Sequence, residues 1–283
     1  MTEGTLRPGL YLVATPLGHL GDLSQRARET LSRASFIAGE STQVVLRWLE
    51  ILGKEEALVR RPGVLSYRES SREADGRKIL QKLSEGESVA LISDAGTPGV
   101  SDPGWQLVNE ARLAGFEVWA IPGPCAAVAA LSISGFPSRR FSFEGFLPGS
   151  GRQRREALAR LQKTTSPCLL YESPHKFMET IEQLAALCPT RELVVCREMT
   201  KKFEESWRGP IVEAVTAWAQ KTIKGEFTLV LGPLEEDESE DSEVPDETLA
   251  LVRDLGLPTK SATQILKHFF PKASKKDIYR RLT

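Results

Sequence analysis

The chain has 283 residues and a formal net charge of −1, from 37 basic and 38 acidic side chains. Such neutrality argues against a surface that binds polyanions everywhere, and a hydrophobic fraction of 41% is enough for one or two sizeable cores. No apolar run approaches the roughly 18 residues of a membrane-spanning helix, and residues 1–8 lack the apolar stretch of a secretion signal.

In chain order, strands predicted at 10–14, 35–38, 64–67, 89–93 and 116–121 alternate with helices predicted at 24–34, 41–52, 70–84, 104–114 and 124–133. That alternation predicts an α/β domain with a mostly parallel sheet and helices on both faces. Gly135-Phe136-Pro137-Ser138 reads as a hinge. A second α/β unit follows, with strands at 141–145, 167–171, 192–196, 203–208 and 226–231 and helices at 151–163, 174–187 and 210–220. Ser173-Pro174 and Gly209-Pro210 are helix-start signals within it.

The composition then shifts. Residues 235–247 hold nine acidic side chains and no basic one, the pattern of a solvated linker. Short helices are predicted at 248–256, 260–269 and 274–282. Residues 258–283 carry seven Lys or Arg against one acid, Asp277. A small basic helical module behind an acidic tether is a candidate for nucleic-acid binding; the alternative is a basic face that is merely solvated. The expected organisation is an N-terminal α/β domain (1–136), a second α/β domain (137–234), an acidic linker (235–247) and a basic helical module (248–283).

Cys125, Cys168, Cys188 and Cys196 form no C-x-x-C pair, which fits reduced thiols and a cytoplasmic location. His19, His175 and His268 are too scattered for a metal-site signature, so no metal is expected.

Three turn-rich segments follow predicted strands. Ser93-Asp94-Ala95-Gly96-Thr97-Pro98 runs on through Ser101-Asp102-Pro103-Gly104, Pro122-Gly123-Pro124 precedes Cys125 and Ala126, and Thr15-Pro16-Leu17-Gly18-His19-Leu20-Gly21-Asp22 lies near the N-terminus. Strand exits of a parallel sheet are where such folds place ligands, and glycine lets backbone approach a ligand closely. Each loop alone is an ordinary turn; together they predict a shared crevice. Pro124 can start a helix, leaving the Cys125 and Ala126 amides unpaired near the strand end. Asp102 and Pro103 read as an N-cap and first-turn pair.

With Glu144-Gly145-Phe146-Leu147-Pro148, Tyr171-Glu172-Ser173-Pro174-His175-Lys176, Arg197-Glu198-Met199-Thr200-Lys201 and Gly225-Glu226, these motifs resemble the tetrapyrrole-methylase superfamily, and within it the branch that methylates small-subunit ribosomal RNA. The resemblance runs from about Leu10 to Leu231, with a similar C-terminal extension. It implies two α/β domains with S-adenosylmethionine between them, and 2′-O-methylation of a cytidine ribose in the decoding region of 16S rRNA. It also implies the 30S subunit as partner and a homodimer. Three stretches depart from the family: His19 stands in place of Asn, Glu40-Ser41-Thr42-Gln43 in place of Glu-Asp-Thr-Arg, and Arg68-Glu69-Ser70-Ser71-Arg72 in place of a His-Glu-His-Asn-Glu-like run. These departures bear on RNA contacts or catalytic detail more than on cofactor binding. A tetrapyrrole C-methyltransferase and a non-catalytic RNA-binding protein of the same fold remain the alternatives.

By resemblance, Leu17, Asp94, Gly96, Thr97, Cys125 and Ala126 line one wall of the cofactor site. Tyr171, Met199 and Phe227 are candidates for the opposite wall, against the alternative of strand-end packing. A ribose hydroxyl is a weak nucleophile, and a base within hydrogen-bond reach would help it. Asp94, Asp102, Glu172, Glu198 and Lys201 are the candidates, with Lys201, Glu172 and Asp102 the catalytic set; the resemblance makes Lys201 a site residue, while Asp102 has helix capping as its alternative role. Arg60 and Arg61, Arg139 and Arg140, and Arg152, Arg154 and Arg155 would form a phosphate track if several faced one cleft.

Overall fold

The computed structural model describes residues 6–55, 58–59, 61–234, 244–271 and 273–283. The chain divides into two compact units, Met1–Pro233 and Leu234–Thr283. No helix of the described residues is long and apolar enough to cross a membrane.

The first unit contains two five-stranded sheets. The first consists of β1 (Gly9–Val13), β2 (Phe36–Gly39), β3 (Gly63–Ser66), β4 (Ser88–Ile92) and β5 (Val118–Ile121), interleaved with α1 (Gln25–Arg33), α2 (Thr42–Lys54), α3 (Arg72–Ser84) and α4 (Trp105–Leu113). All its pairings are parallel, in the order β3-β2-β4-β1-β5. The two-residue period of a strand sorts β1 cleanly. Tyr11 and Val13 join Leu31, Trp48 and Leu52 of α1 and α2, whereas Leu10 and Leu12 join Ile79 and Leu107 of α3 and α4. With both faces covered, the central strands β1, β2 and β4 are buried and almost wholly apolar, as buried parallel strands are.

The second sheet is mixed. It is built from β6 (Ser142–Phe146), β7 (Cys168–Glu172), β8 (Glu192–Arg197), β9 (Glu205–Pro210) and β10 (Phe227–Leu231), in the order β6-β7-β10-β8-β9, and only the β6–β7 pair is parallel. The strand expected at 203–208 starts two residues later. One face packs Leu170, Val195, Phe227 and Leu229 against α6 (Gly151–Lys163), α7 (Phe177–Leu187) and α8 (Ile211–Ala219). The other face takes α5 (Ala126–Ser134), whose Ala127, Ala130 and Leu131 meet Leu169, Val194, Cys196 and Val230. The helix that leaves the first sheet is thus roofed by the second. Gly135 ends it with φ +73°, the left-handed close that favours glycine.

In the second unit, α9 (Asp246–Asp254), α10 (Thr259–Phe269) and α11 (Lys275–Leu282) share a small core of Leu249, Val252, Ala262, Leu266 and Ile278. The helix expected at 248–256 begins earlier, inside the acidic stretch: Asp246 and Glu247 form its first turn, where the helix dipole favours negative charge. Residues 235–243 of that stretch lie outside the described residues, as does Arg60.

Candidate functional site

The strand order brings three loop exits together. β4, β1 and β5 are adjacent and parallel, so their C-terminal ends open at one edge, where such sheets bind ligands. The loops are stitched there. Thr15 and Gly96 exchange both backbone hydrogen bonds, at 2.8 and 2.9 Å. The Thr97 hydroxyl donates to the Pro124 carbonyl across 2.9 Å. Gly96 has φ +82°, and a Cβ there would lie 3.3 Å from Leu17 Cδ2 and 3.7 Å from the Pro124 carbonyl oxygen. A side chain at position 96 would therefore fill the space between the loops. Leu17, Gly96, Thr97, Cys125 and Ala126 accordingly fall in one neighbourhood.

Pro124 does not open α5; the helix starts at Ala126 with Cys125 at its N-cap. Its first-turn amides have no intrahelical acceptors and point out of the helix end. One of them, on Ala127, donates to the Tyr171 hydroxyl at 3.2 Å. The Tyr171 ring meets Phe143 edge-on at 5.1 Å and Phe146 at 5.7 Å. Burial pushes its hydroxyl up to about 12, so it stays a neutral phenol. Cys125, Tyr171 and Met199 pack on the same apolar cluster as α5, and these three predicted residues meet.

Asp102 is not a helix cap. The N-cap of α4 is Gly104, and Asp102 lies two residues outside it. Burial raises its carboxyl to about 6, opposed by a hydrogen bond from Ser93 and reinforced by the charges of Glu40, Asp94 and Glu226. Asp94 is exposed, and its charge adds to that repulsion. Glu226 belongs to the second sheet's strand ends, so both sheets shape the field at Asp102. They also touch nearby: a Cβ on Gly145, in β6, would fall 2.7 Å from Ser101 Oγ. Ser101 itself has φ +61°, a conformation a non-glycine residue rarely holds without support.

Lys201 sits between two carboxylates, with Nζ 3.0 Å from Glu198 and 2.9 Å from Glu226. Burial lowers its pKa, but the bonds to Glu226 and Glu198 outweigh that and raise it. Burial would raise Glu198, yet the Glu226 amide and Lys201 hold it below the usual carboxylate range. Lys201 is therefore a fixed cation and no proton acceptor. Gly225 makes the arrangement possible: its φ is +87°, and a Cβ would come within 2.5 Å of the Glu198 side chain. Across the site, Gly18 lies against the Lys201 stem so closely that any side chain there would overlap it.

Three predicted residues are elsewhere. Glu172 is buried, with one oxygen accepting from the Ser173 amide at 2.8 Å and the other from the Thr180 hydroxyl at 2.6 Å. Arg154 completes that network by donating to Thr180 at 2.7 Å, and so leaves the expected phosphate track. Phe227 points to the opposite face of its sheet, stacked on Phe177 at 4.1 Å.

The departures from the family pattern do local structural work. His19 Nδ1 accepts the Gly21 amide at 3.1 Å, and Ser41 caps α2 through the Val44 amide at 3.4 Å. These are tasks Asn and Asp also perform. Arg68 Nε donates to the Glu40 carbonyl at 3.3 Å, and Arg72 pairs with Glu69. Sequence reasoning missed Ser101, Gly145 and the pairing of Gly225 with Glu198, because each takes its meaning from a distant neighbour.

Residues 9–215 match the family model described as Tetrapyrrole (Corrin/Porphyrin) Methylases. A protein of Halalkalibacterium halodurans named ribosomal RNA small subunit methyltransferase I is 43% identical over 222 residues, 78% of this chain and 75% of that protein. One of the same name from Vibrio cholerae is 39% identical over 267 residues, 92% of this chain and 89% of that protein. Among solved structures, uroporphyrin-III C-methyltransferase from Thermus thermophilus, complexed with S-adenosylhomocysteine, has a similar fold. It aligns with a TM-score of 0.55 at 17% identity, covering 79% of this chain and 97% of that one.

Proposed function

Since the chain belongs to the tetrapyrrole (corrin/porphyrin) methylase family, alongside proteins named ribosomal RNA small subunit methyltransferase I, we propose that it transfers a methyl group from S-adenosylmethionine to small-subunit ribosomal RNA. The acceptor in this reading is the 2′-hydroxyl of a cytidine in the decoding region of 16S rRNA, presented on the 30S subunit in the cytoplasm to a homodimer. The observation that carries it is the stitched meeting of three strand exits at the first turn of α5, with one raised carboxyl, Asp102, beside it.

The residues fit the cofactor. The space that a Cβ on Gly96 would fill is a cradle between Leu17 and Pro124. The first-turn amides of α5 suit the carboxylate of the methionine moiety, since helix N-termini attract anions. Leu17, Cys125, Tyr171 and Met199 offer apolar surface for the rest. When bound, the cofactor supplies a methyl group on a cationic sulfur. The protein's task is to hold the ribose hydroxyl in line with that methyl, because positioning supplies much of the acceleration in such a displacement.

Asp102 takes the hydroxyl proton in this mechanism. A pKa of about 6 leaves it ionised at neutral pH while close enough to act as a general base. Lys201, held protonated by Glu198 and Glu226, orients the acceptor or its phosphate rather than accepting a proton. A porphyrin-like acceptor would call for an enclosed apolar pocket, and the charged groups around Asp102 and Lys201 argue against one. The test is mass spectrometry of 16S rRNA from a strain lacking the gene, with and without the gene restored. One ribose methyl should vanish and return.

A further inference from the structure

Beside the candidate site lies a cavity of about 480 Å³ that the proposed reaction leaves unused. It opens between the end of β8, the start of β9 and the turn that leads into β10, and its walls include Arg197, Glu198, Phe203, Glu205, Lys221 and Lys224. Pockets of this size take ligands as large as a nucleotide. Three features distinguish it from a water-filled surface hollow.

The first is an exposed aromatic ring with one lysine ammonium over it and no other ring against it among the described residues. Phe203 is 66% exposed, and the Lys202 ammonium stands 5.5 Å from its ring centre. The second is charge. Arg197 and Lys221 are both bound to Glu205, and Glu198 is bound to Lys201. Lys202 and Lys224 have no carboxylate partner among the described residues, so two exposed ammonium groups, one on the wall and one beside Phe203, are free to meet a phosphate. The third is an unsatisfied donor: Arg197 Nε is buried with no hydrogen-bond partner among the described residues. Such donors are uncommon enough to call for an explanation.

Location adds the connection. Glu198 lines the cavity with the carboxylate that anchors Lys201, and Gly225, which admits that carboxylate, lines it too. The cavity and the candidate site share a wall. A single strand that delivers one ribose to Asp102 and Lys201 would carry its neighbouring nucleotide across this cavity. Single-stranded RNA is bound by stacking its bases on exposed aromatic rings along a basic path.

We infer that this cavity is a second nucleotide subsite, in which the base flanking the methylated residue stacks on Phe203 while Lys202 and Lys224 hold its phosphate. The inference rests on RNA being the substrate. Its test uses the full-length protein with unmodified 30S subunits, and with a short single-stranded rRNA fragment carrying 2-aminopurine next to the target. F203A should weaken RNA binding roughly 5- to 100-fold, the range for losing one base stack, and F203W should restore it. Wild-type protein should quench the 2-aminopurine emission and F203A should not. K224Q should reduce the salt dependence by about one phosphate contact, and S-adenosylmethionine affinity should be unchanged in all three variants. Wild-type RNA affinity and quenching in F203A would overturn the subsite while leaving the proposed reaction intact. A wild-type protein that neither binds nor methylates small-subunit RNA would overturn the proposed reaction, and the subsite with it.

Discussion

The amide of Ala127 donates to the hydroxyl of Tyr171 across 3.2 Å, so the first turn of α5 is fastened to the end of β7. Through that bond the second sheet sets where the first turn of the helix leaving the first sheet sits. Ala127 is buried, and losing its acceptor would leave the amide unsatisfied.

Tyr171→Phe tests this link. It should lower stability by about 1 kcal/mol, the usual net worth of such a bond, seen as a lower urea midpoint with an unchanged slope. It should also weaken S-adenosylmethionine binding in calorimetry, because the Cys125 and Ala126 amides lose their fixed position. An unchanged midpoint would show that the bond holds nothing.

Gly96→Val probes the cradle. Valine at φ +82° meets a left-handed cost of about 1–2 kcal/mol, and its branches would press on Leu17 and Pro124. Weaker cofactor binding with retained circular dichroism is the expected result. Wild-type affinity would move the cofactor away from this loop.

Asp102 predicts two opposite pH effects. Its folded pKa of about 6 lies above the ordinary 3.8, so the folded protein keeps a proton that the unfolded chain has released between those values. Stability contributed by this group therefore falls as pH rises from about 4 to about 6. Asp102→Asn, which mimics the protonated form, should be more stable than wild type at neutral pH and nearly equal to it at pH near 4, by denaturant titration. Methyl transfer should rise with pH to a plateau above about 6 and lose that limb in the Asn variant.

The order of elements and the three crevice loops were legible in the sequence, because parallel strands announce themselves as apolar runs ended by glycine and proline. What failed was facing and pairing. Phe227 has a strand-end position suited to a site, but the side-chain alternation of β10 sends it into the core with Phe177. Glu172 resembles a candidate base until Thr180 and the Ser173 amide take both its oxygens. Asp102 reads as a cap because Asp-Pro begins many helices, yet Gly104 takes that place and Asp102 is left half-buried among like charges. Sequence spacing carries the period of an element; it does not carry which neighbour a side chain finds across the fold.

The basic residues of the C-terminal module predict a division of labour. Truncation after Pro233, at the boundary of the first compact unit, should keep cofactor binding and lose affinity for rRNA. Its remaining RNA affinity should depend less steeply on salt, since fewer phosphates are neutralised. Equal salt slopes for the truncated and full chains would leave the module as a solvated basic face.

Ribose methylation of small-subunit RNA is tested most directly by incubating the purified protein with methyl-labelled S-adenosylmethionine and unmodified 30S subunits, then digesting the RNA to nucleosides. Label should appear in 2′-O-methylcytidine alone. Label in a base-methylated nucleoside, or no label in RNA despite cofactor binding, would contradict it.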